Sequence, residues 1–331
     1  MCWSVGGERA VTLEASATVG LPCPLCAAAA YRTVKVFSDG VVVGECGNCG
    51  LLYTPLRHPS PDTLFAGTQP LELRVLLRPI TLGLKQHYRD RSFRAVLTTI
   101  RRNTTGKRLL DVGCAHGAFL RLARKLGYEG TGVEPTPALA AFGREEWGLE
   151  ILDGRLDQVD LGRREWDVIT FTDSLEYLTT PVADLGRILD HLAAGGVLFA
   201  KVPNGNYFRM RHRVEGALGR KLGQDEPFSP SRRVAHYTLQ SLQRLAQATG
   251  LEKVEVGPAP VIDSSVWAGL TGLPLEVESP WYLDWRAKLI RRLLWMVGAI
   301  EGALWRGHNH FSPSIFILAR KPRQSVAAGH S

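Results

Sequence analysis

Residues 109–120 read Leu-Leu-Asp-Val-Gly-Cys-Ala-His-Gly-Ala-Phe-Leu, and this run restricts the chain to few folds. Apolar residues lead into an aspartate and a glycine-bearing turn. The turn opens directly into Ala118–Leu126, whose apolar spacing is helical and which stops at Gly127. That order is strand, tight turn, helix. Gly113 and Gly117 let the backbone bend with no Cβ in a ligand's way, and the unbonded N–H groups at the helix start offer hydrogen bonds. A carboxylate, Glu134 in Gly132-Val133-Glu134-Pro135, ends the next predicted strand about 20 residues further on, where a nucleotide ribose is gripped through its hydroxyls.

A pyrophosphate-binding turn carries G-x-G-x-x-G, whereas this one reads Gly113-x-Ala115-x-Gly117. The stretch resembles instead the first motif of class I S-adenosylmethionine-dependent methyltransferases, an acidic residue ahead of G-x-G-x-G, with Ala115 in place of the middle glycine. By that resemblance Asp111, Gly113 and Gly117 line the cofactor and Glu134 holds its ribose. A turn without a ligand explains the same letters less well, because further motifs follow in the family's order.

Those motifs accompany alternating strands and helices. Predicted strands are Arg108–Val112, Gly130–Val133, Leu149–Leu152, Trp166–Phe171, Val197–Val202, Leu251–Val256 and Ser314–Arg320. The fifth strand, Val197–Val202, follows a helix from Val182 to Leu192 and an Ala194-Gly195-Gly196 turn, and another helix spans Leu239–Thr249. Apolar strands alternating with helices imply a parallel sheet covered on both faces, with ligands at the strands' carboxyl ends. The expected class is α/β, a Rossmann-like seven-stranded methyltransferase sheet with helices on both faces and a small N-terminal zinc ribbon. In this fold the last two strands pair antiparallel, which makes the residues between them an insertion.

The resemblance also points to site residues in the later loops. Asp153, after the third strand, is placed to accept from the adenine amine, and Leu156 to pack on the base; an ordinary polar turn is the plainer reading. Asp173-Ser174-Leu175-Glu176-Tyr177 resembles the family's D-x-L-E-H, with Tyr177 where histidine is frequent. Histidine can act as a general base near neutral pH, whereas a tyrosine with a pKa of about 10 stays protonated and orients substrate instead. Asp173 and Glu176 remain candidates for the base, Asp173 also for cofactor contact, and the alternative is that they cap a helix or face solvent. Val202-Pro203-Asn204 resembles a proline-asparagine step bordering the active site. It opens a segment with Arg209, Arg211, Arg213, Arg220 and Lys221 that suits a phosphate or carboxylate, or simply a solvated basic face. His236, at the end of that segment, is a second base candidate or a structural histidine.

Ahead of the core stand Cys23-Pro24-Leu25-Cys26 and Cys46-Gly47-Asn48-Cys49, two C-x-x-C pairs about 20 residues apart that fit a structural Zn2+ site. Four thiolates leave no open coordination position, so the metal does not activate water. Between the pairs, Tyr31–Phe37 and Val41–Val43 around Ser38-Asp39-Gly40 read as a hairpin. The phrase C-x-x-C-G-L-x-Y followed by prolines is similar to bacterial methyltransferases of sugar, polysaccharide and natural-product pathways. Leu71–Arg102 reads as helical.

The resulting division is a zinc ribbon at 18–56, a linker with cofactor-capping helices at 57–105, and a core at 106–257 with a substrate lid at 204–236. A Trp-rich helical insertion at 258–313, the last strand at 314–321 and a disordered tail at 322–331 complete it. The insertion carries an amphipathic run from Tyr282 to Leu304, with Trp267, Trp281, Trp285, Trp295 and Trp305 in or near it. It is expected to pack on the domain or a second subunit, with contact to a membrane surface through 281–305 as the other reading.

The formal charge of +8 permits nucleic acid, phosphorylated substrates or an anionic membrane and selects none. Met1–Ala10 shows no leader pattern, and the apolar run Leu293–Ile300 is far short of the ~18 residues of a membrane span. The expected setting is cytoplasmic, with peripheral attachment to the inner membrane face as the alternative. The expected activity is S-adenosylmethionine-dependent methyl transfer to an anionic small molecule, a sugar or related metabolite bearing a phosphate, nucleotide or lipid carrier. RNA is the weaker acceptor, because the ribbon offers no evident stacking platform. A non-catalytic scaffold is the third reading, opposed by the intact Asp111, Gly113, Gly117 and Glu134.

Overall fold

The computed structural model describes residues 20–38, 40–55, 70–84, 86–87, 89–219, 228, 233–259, 293, 296–297, 300–301 and 310–323. The five tryptophans of the insertion, Arg220, Lys221 and the tail from 324 onward lie outside the described residues.

The N-terminal hairpin pairs β1 (Tyr31–Val36) antiparallel with β2 (Val42–Cys46), and a short β3 (Leu52–Tyr53) follows. Helix α1 (Pro70–Thr81) and α2 (Asp90–Asn103) come next. Both lie in the stretch Leu71–Arg102 expected to be helical: the first ends at Thr81, two residues past Pro79, and the second begins at Asp90. Proline withholds an amide and crowds the preceding turn, so a helix ends readily near it.

The core runs β4 (Arg108–Val112), α3 (Ala118–Lys125), β5 (Glu129–Glu134), α4 (Pro137–Trp147), β6 (Glu150–Asp153) and β7 (Trp166–Thr172). A single 3-10 turn at Leu175–Tyr177 leads to α5 (Pro181–Asp190) and β8 (Leu192–Pro203). Then come α6 (Gly205–Leu218), β9 (Ala235–His236), α7 (Leu239–Ala248), β10 (Glu252–Pro258) and β11 (Ser314–Arg320). Leu192 therefore begins a strand rather than ending a helix. The expected Gly195-Gly196 turn lies inside β8, whose pairing with β7 shifts register between Trp166 and Val168, with Gly195 at φ +74°.

The seven strands lie in the order β10-β11-β8-β7-β4-β5-β6. The five from β8 to β6 are parallel, and β11 is antiparallel to both β8 and β10, as expected for this Rossmann-like sheet. Alternate residues feed two cores. Leu109, Val168 and Phe199 face Phe93, Leu97, Phe119 and Trp147 of the helices on one side. Leu110, Ile169 and Ala200 face Leu185, Ile188, Leu242 and Leu245 on the other. Burial on both faces is why β4, β7 and β8 read as nearly unbroken apolar runs.

The ribbon shares the second core: Cys23, Cys49, Leu51 and Tyr53 belong to it. β9 hydrogen-bonds to β3, pairing Leu52 with His236 and Tyr53 with Ala235, so the four-stranded ribbon sheet β1-β2-β3-β9 takes its last strand from the far side of the core sequence. In the insertion, Leu293, Met296 and Ile300 are about half exposed and Glu301 is buried, so this apolar face is not packed on the core among the described residues. No helix among the described residues is long and apolar enough to cross a membrane.

Candidate active site

Strand order reverses at β4, with β5 and β6 on one side and β7 and β8 on the other, so the loops leaving β4 and β7 part and open a crevice at their carboxyl ends. Asp111 and Thr170 face each other there. Thr170 Oγ1 donates to Asp111 Oδ1 at 2.7 Å, while the buried Oδ2 has no protein partner among the described residues. Burial pushes the Asp111 carboxyl up to about 7, against the Thr170 hydrogen bond that lowers it.

The turn after β4 is held by its backbone. The amides of Gly113 and Cys114 donate to Val133 O at 2.8 and 3.1 Å, and Gly113, Ala115 and Gly117 have φ of +72°, +51° and +81°. A Cβ on Gly113 would sit 2.5 Å from that of Ser174, so this position excludes a side chain, while at Gly117 the left-handed backbone disfavours one and a Cβ would press 2.5 Å from the tip of Leu149. Ala115 takes the left-handed conformation without being glycine, at a cost on the order of 1 kcal/mol. Glu134 is 3% exposed and accepts from two amides, Ala115 N–H at 2.8 Å and Thr136 N–H at 2.9 Å. Burial raises its pKa and those hydrogen bonds lower it, with burial the larger effect. Asp153 ends β6 opposite Glu134 in register; it is exposed, with Arg144 3.9 Å away, and the half-buried Leu156 packs against the core nearby.

Asp173, after β7, is at φ +62°. Its carboxylate meets Lys201 Nζ at 2.9 and 3.2 Å and Arg89, which reaches in from the start of α2. Lys201 is 1% exposed near the carboxyl end of β8. The sequence reading missed both cations as site residues, although a lysine inside Leu198-Phe199-Ala200-Lys201-Val202 is a readable signal, since a buried ammonium requires a carboxylate. His87 and His116 were missed too. Their rings stand 5.3 Å apart beside the turn, His116 Nε2 has no hydrogen-bond partner among the described residues, and burial lowers the His116 pKa to about 4.

The four base candidates divide. Asp173 and Tyr177 are partly open to solvent, whereas Glu176 and His236 are 1% exposed. Glu176 O accepts from Val234 N–H, its Oε1 is 3.7 Å from Arg233, and burial raises its carboxyl to about 7. His236 is walled by Phe208 and Phe228, neither ring nitrogen has a hydrogen-bond partner among the described residues, and burial lowers its pKa to about 3. Both therefore sit at the junction of ribbon and core, not on an open surface. Asn204 begins α6, accepting from Asn206 N–H and donating to Ser312 O at 2.8 Å.

In the ribbon the sulfurs of Cys23, Cys26, Cys46 and Cys49 all lie within 4.8 Å of one another, with Cys23–Cys49 at 3.4 Å and Cys26–Cys46 at 3.5 Å. Zinc–thiolate bonds of about 2.3 Å in a tetrahedron require sulfurs about 3.8 Å apart, so this donor set fits Zn2+.

A family profile described as a methyltransferase domain matches residues 85–256, just over half of the 331-residue chain. A ubiquinone biosynthesis O-methyltransferase from Bradyrhizobium sp. is 28% identical over 118 residues, 34% of this chain and 46% of that protein, so the chain spans less than half the length of this curated relative. Among solved structures, phosphoethanolamine N-methyltransferase 2 of Haemonchus contortus in complex with S-adenosyl-L-methionine is 16% identical, covering 70% of this chain and 52% of that one at a TM-score of 0.46. An amino pentose methyltransferase from Micromonospora echinaspora is 28% identical, covering 40% of this chain and 56% of that one at a TM-score of 0.32.

Proposed function

The chain belongs to the methyltransferase-domain family, and from that premise we propose that it transfers a methyl group from S-adenosylmethionine to a small anionic acceptor. The observation that carries this reading is the crevice at the β4/β7 reversal. There a buried carboxylate oxygen of Asp111 has no protein partner among the described residues, beside a turn whose left-handed glycines, Gly113 and Gly117, disfavour side chains.

When bound, the cofactor supplies an electrophilic sulfonium methyl. Asp111 and the turn amides hold its amino-acid end, and Glu134, with a lone pair left on each oxygen, accepts from the ribose hydroxyls. Asp153 and Leu156 border the adenine. Asp173 and Tyr177 contact the acceptor: Lys201 and Arg89 fix the Asp173 carboxylate, and the Tyr177 hydroxyl orients the nucleophile by a hydrogen bond. Glu176 and His236 act as positioning residues from behind, since neither reaches solvent. Alignment of nucleophile, methyl and sulfur is the main catalytic contribution of such a site. The four cysteines hold a structural Zn2+, and the acceptor is a sugar or related metabolite carrying a phosphate, nucleotide or lipid group. The half-exposed Leu293, Met296 and Ile300 support subunit or membrane contact by the insertion.

The test incubates the full chain with methyl-labelled S-adenosylmethionine and cell extract, then separates small molecules, lipid, protein and nucleic acid. Label in an anionic small-molecule or lipid fraction supports the reading, label released by nuclease replaces it with RNA methylation, and absence of both label and cofactor binding removes the enzyme.

A further inference from the structure

A groove of about 320 Å3 runs between the ribbon and α6, walled by Arg32, Thr33 and Val34 of β1 and by Arg209, His212 and Arg213 of the helix. Positions 209, 212 and 213 share one face of α6 through the helical repeat, and that face looks at the first strand of the zinc ribbon.

The charges around the groove do not cancel. Glu45 stands at its edge and bonds both Arg32 and Arg209. Arg209 is also held by Asn206 Oδ1 at 2.6 Å, which fixes its guanidinium from two sides. Arg213 has no ion-pair partner among the described residues, and no carboxylate lines the cavity. Among the described residues three guanidiniums against one carboxylate leave an excess of two positive charges, supplied jointly by two elements distant in sequence. A solvated helix face accounts for Arg213 alone. Arg32 and Glu45 face each other across the β1/β2 hairpin, and the same carboxylate reaches Arg209, so one side chain ties the strand wall of the groove to the helix wall.

We propose that this groove binds a phosphate-ester group on the methyl acceptor, with the ribbon and α6 gripping the anionic end while the methylated atom lies at the strand ends. The proposal rests on the methyl-transfer reading above. Planar guanidiniums on two sides match the paired oxygens of a phosphate. At ~1.5 Å per residue, Arg209 and Arg213 stand about 8 and 14 Å along α6 from Asn204, so the acceptor separates phosphate and nucleophile by roughly the length of a sugar or short linker. The ribbon then selects substrate as well as stabilising the fold. The phosphate is carried by a soluble metabolite or by a lipid, and the chemistry of the groove is the same for both.

Inorganic pyrophosphate is titrated calorimetrically into the full chain, with S-adenosylhomocysteine titrated in parallel. Saturable pyrophosphate binding is expected, weakened at least tenfold by Arg213→Gln or Arg32→Gln and abolished by Thr33→Glu, which places a carboxylate in the groove. S-adenosylhomocysteine affinity should stay within twofold in all variants, which also reports that they fold. Pyrophosphate binding that is absent, or that survives Thr33→Glu, overturns the groove while leaving methyl transfer standing. Loss of S-adenosylhomocysteine binding by the unmodified chain overturns the methyl-transfer reading instead. Sedimentation with phosphatidylcholine vesicles containing phosphatidylglycerol, lost in Arg213→Gln and competed by pyrophosphate, assigns the phosphate to a lipid. Pyrophosphate binding without such sedimentation assigns it to a soluble ester.

Discussion

The amide of Ala115 donates to Oε2 of Glu134 at 2.8 Å, and this one bond joins the turn after β4 to the end of β5. The other carboxylate oxygen takes the amide of Thr136, so a single side chain shapes both loops of the crevice before any ligand arrives.

Glu134→Ala leaves those two amides without their acceptor, at about 1–3 kcal/mol for each that stays dry. The expected result is a stability loss of about 2 kcal/mol in urea unfolding, together with at least a hundredfold loss of S-adenosylhomocysteine affinity. A stability loss with affinity intact would show that Glu134 shapes the turn and does not touch the ribose.

Asp111 makes stability depend on pH. Burial lifts its folded pKa to about 7, above the unfolded carboxylate value of about 3.9, so between those values the folded state keeps a proton that the unfolded state has lost. Its contribution therefore weakens as pH rises through that window, by up to about 1.4 kcal/mol per pH unit, and levels off above pH ~7. Glu176, also raised to about 7, acts in the same direction. Relative to the parent protein, Asp111→Asn should gain stability steadily between pH 5 and pH 7, as read by urea unfolding at several pH values. Parallel curves for the two proteins would contradict the raised pKa.

Asp173→Ala takes the carboxylate from beside the buried ammonium of Lys201 and is expected to cost about 3 kcal/mol. Adding Lys201→Met should recover at least half of that loss, because the charge that needed the carboxylate is gone. A double mutant as unstable as the sum of the single changes would mean that the pair is not coupled.

Purified protein should carry one zinc per chain by elemental analysis, and Cys46→Ser should lower both the zinc content and the melting temperature. S-adenosylhomocysteine affinity should change by less than twofold, since Asp111, Glu134 and Asp173 belong to the seven-stranded sheet and its loops. A cofactor site that collapses with the metal would contradict this division.

The strand, turn and helix at 108–125 were legible because burial on both faces forces apolar strands and because a side chain at 113 collides with Ser174 and the left-handed backbone at 117 disfavours one. The paired cysteines were legible because four-thiolate coordination imposes their spacing. Less legible were contacts made across long stretches of chain. Arg89 resembles any surface arginine until α2 is laid over the crevice, and no local pattern brings it to Asp173, 84 residues away. Glu176 looks like an exposed acid in a polar loop, and its burial comes from the strand at 235–236 folding over it.

The strand Ala235–His236 also sets an order of events during synthesis. The ribosome makes the cysteines, the hairpin and β3 early, but the partner that completes this sheet lies about 180 residues downstream of β3. At roughly 5–20 residues per second, β3 waits on the order of ten to forty seconds with one edge unpaired. A nascent chain brings its four cysteines together during that interval, yet it cannot finish its first sheet until most of the seven-stranded core has left the tunnel.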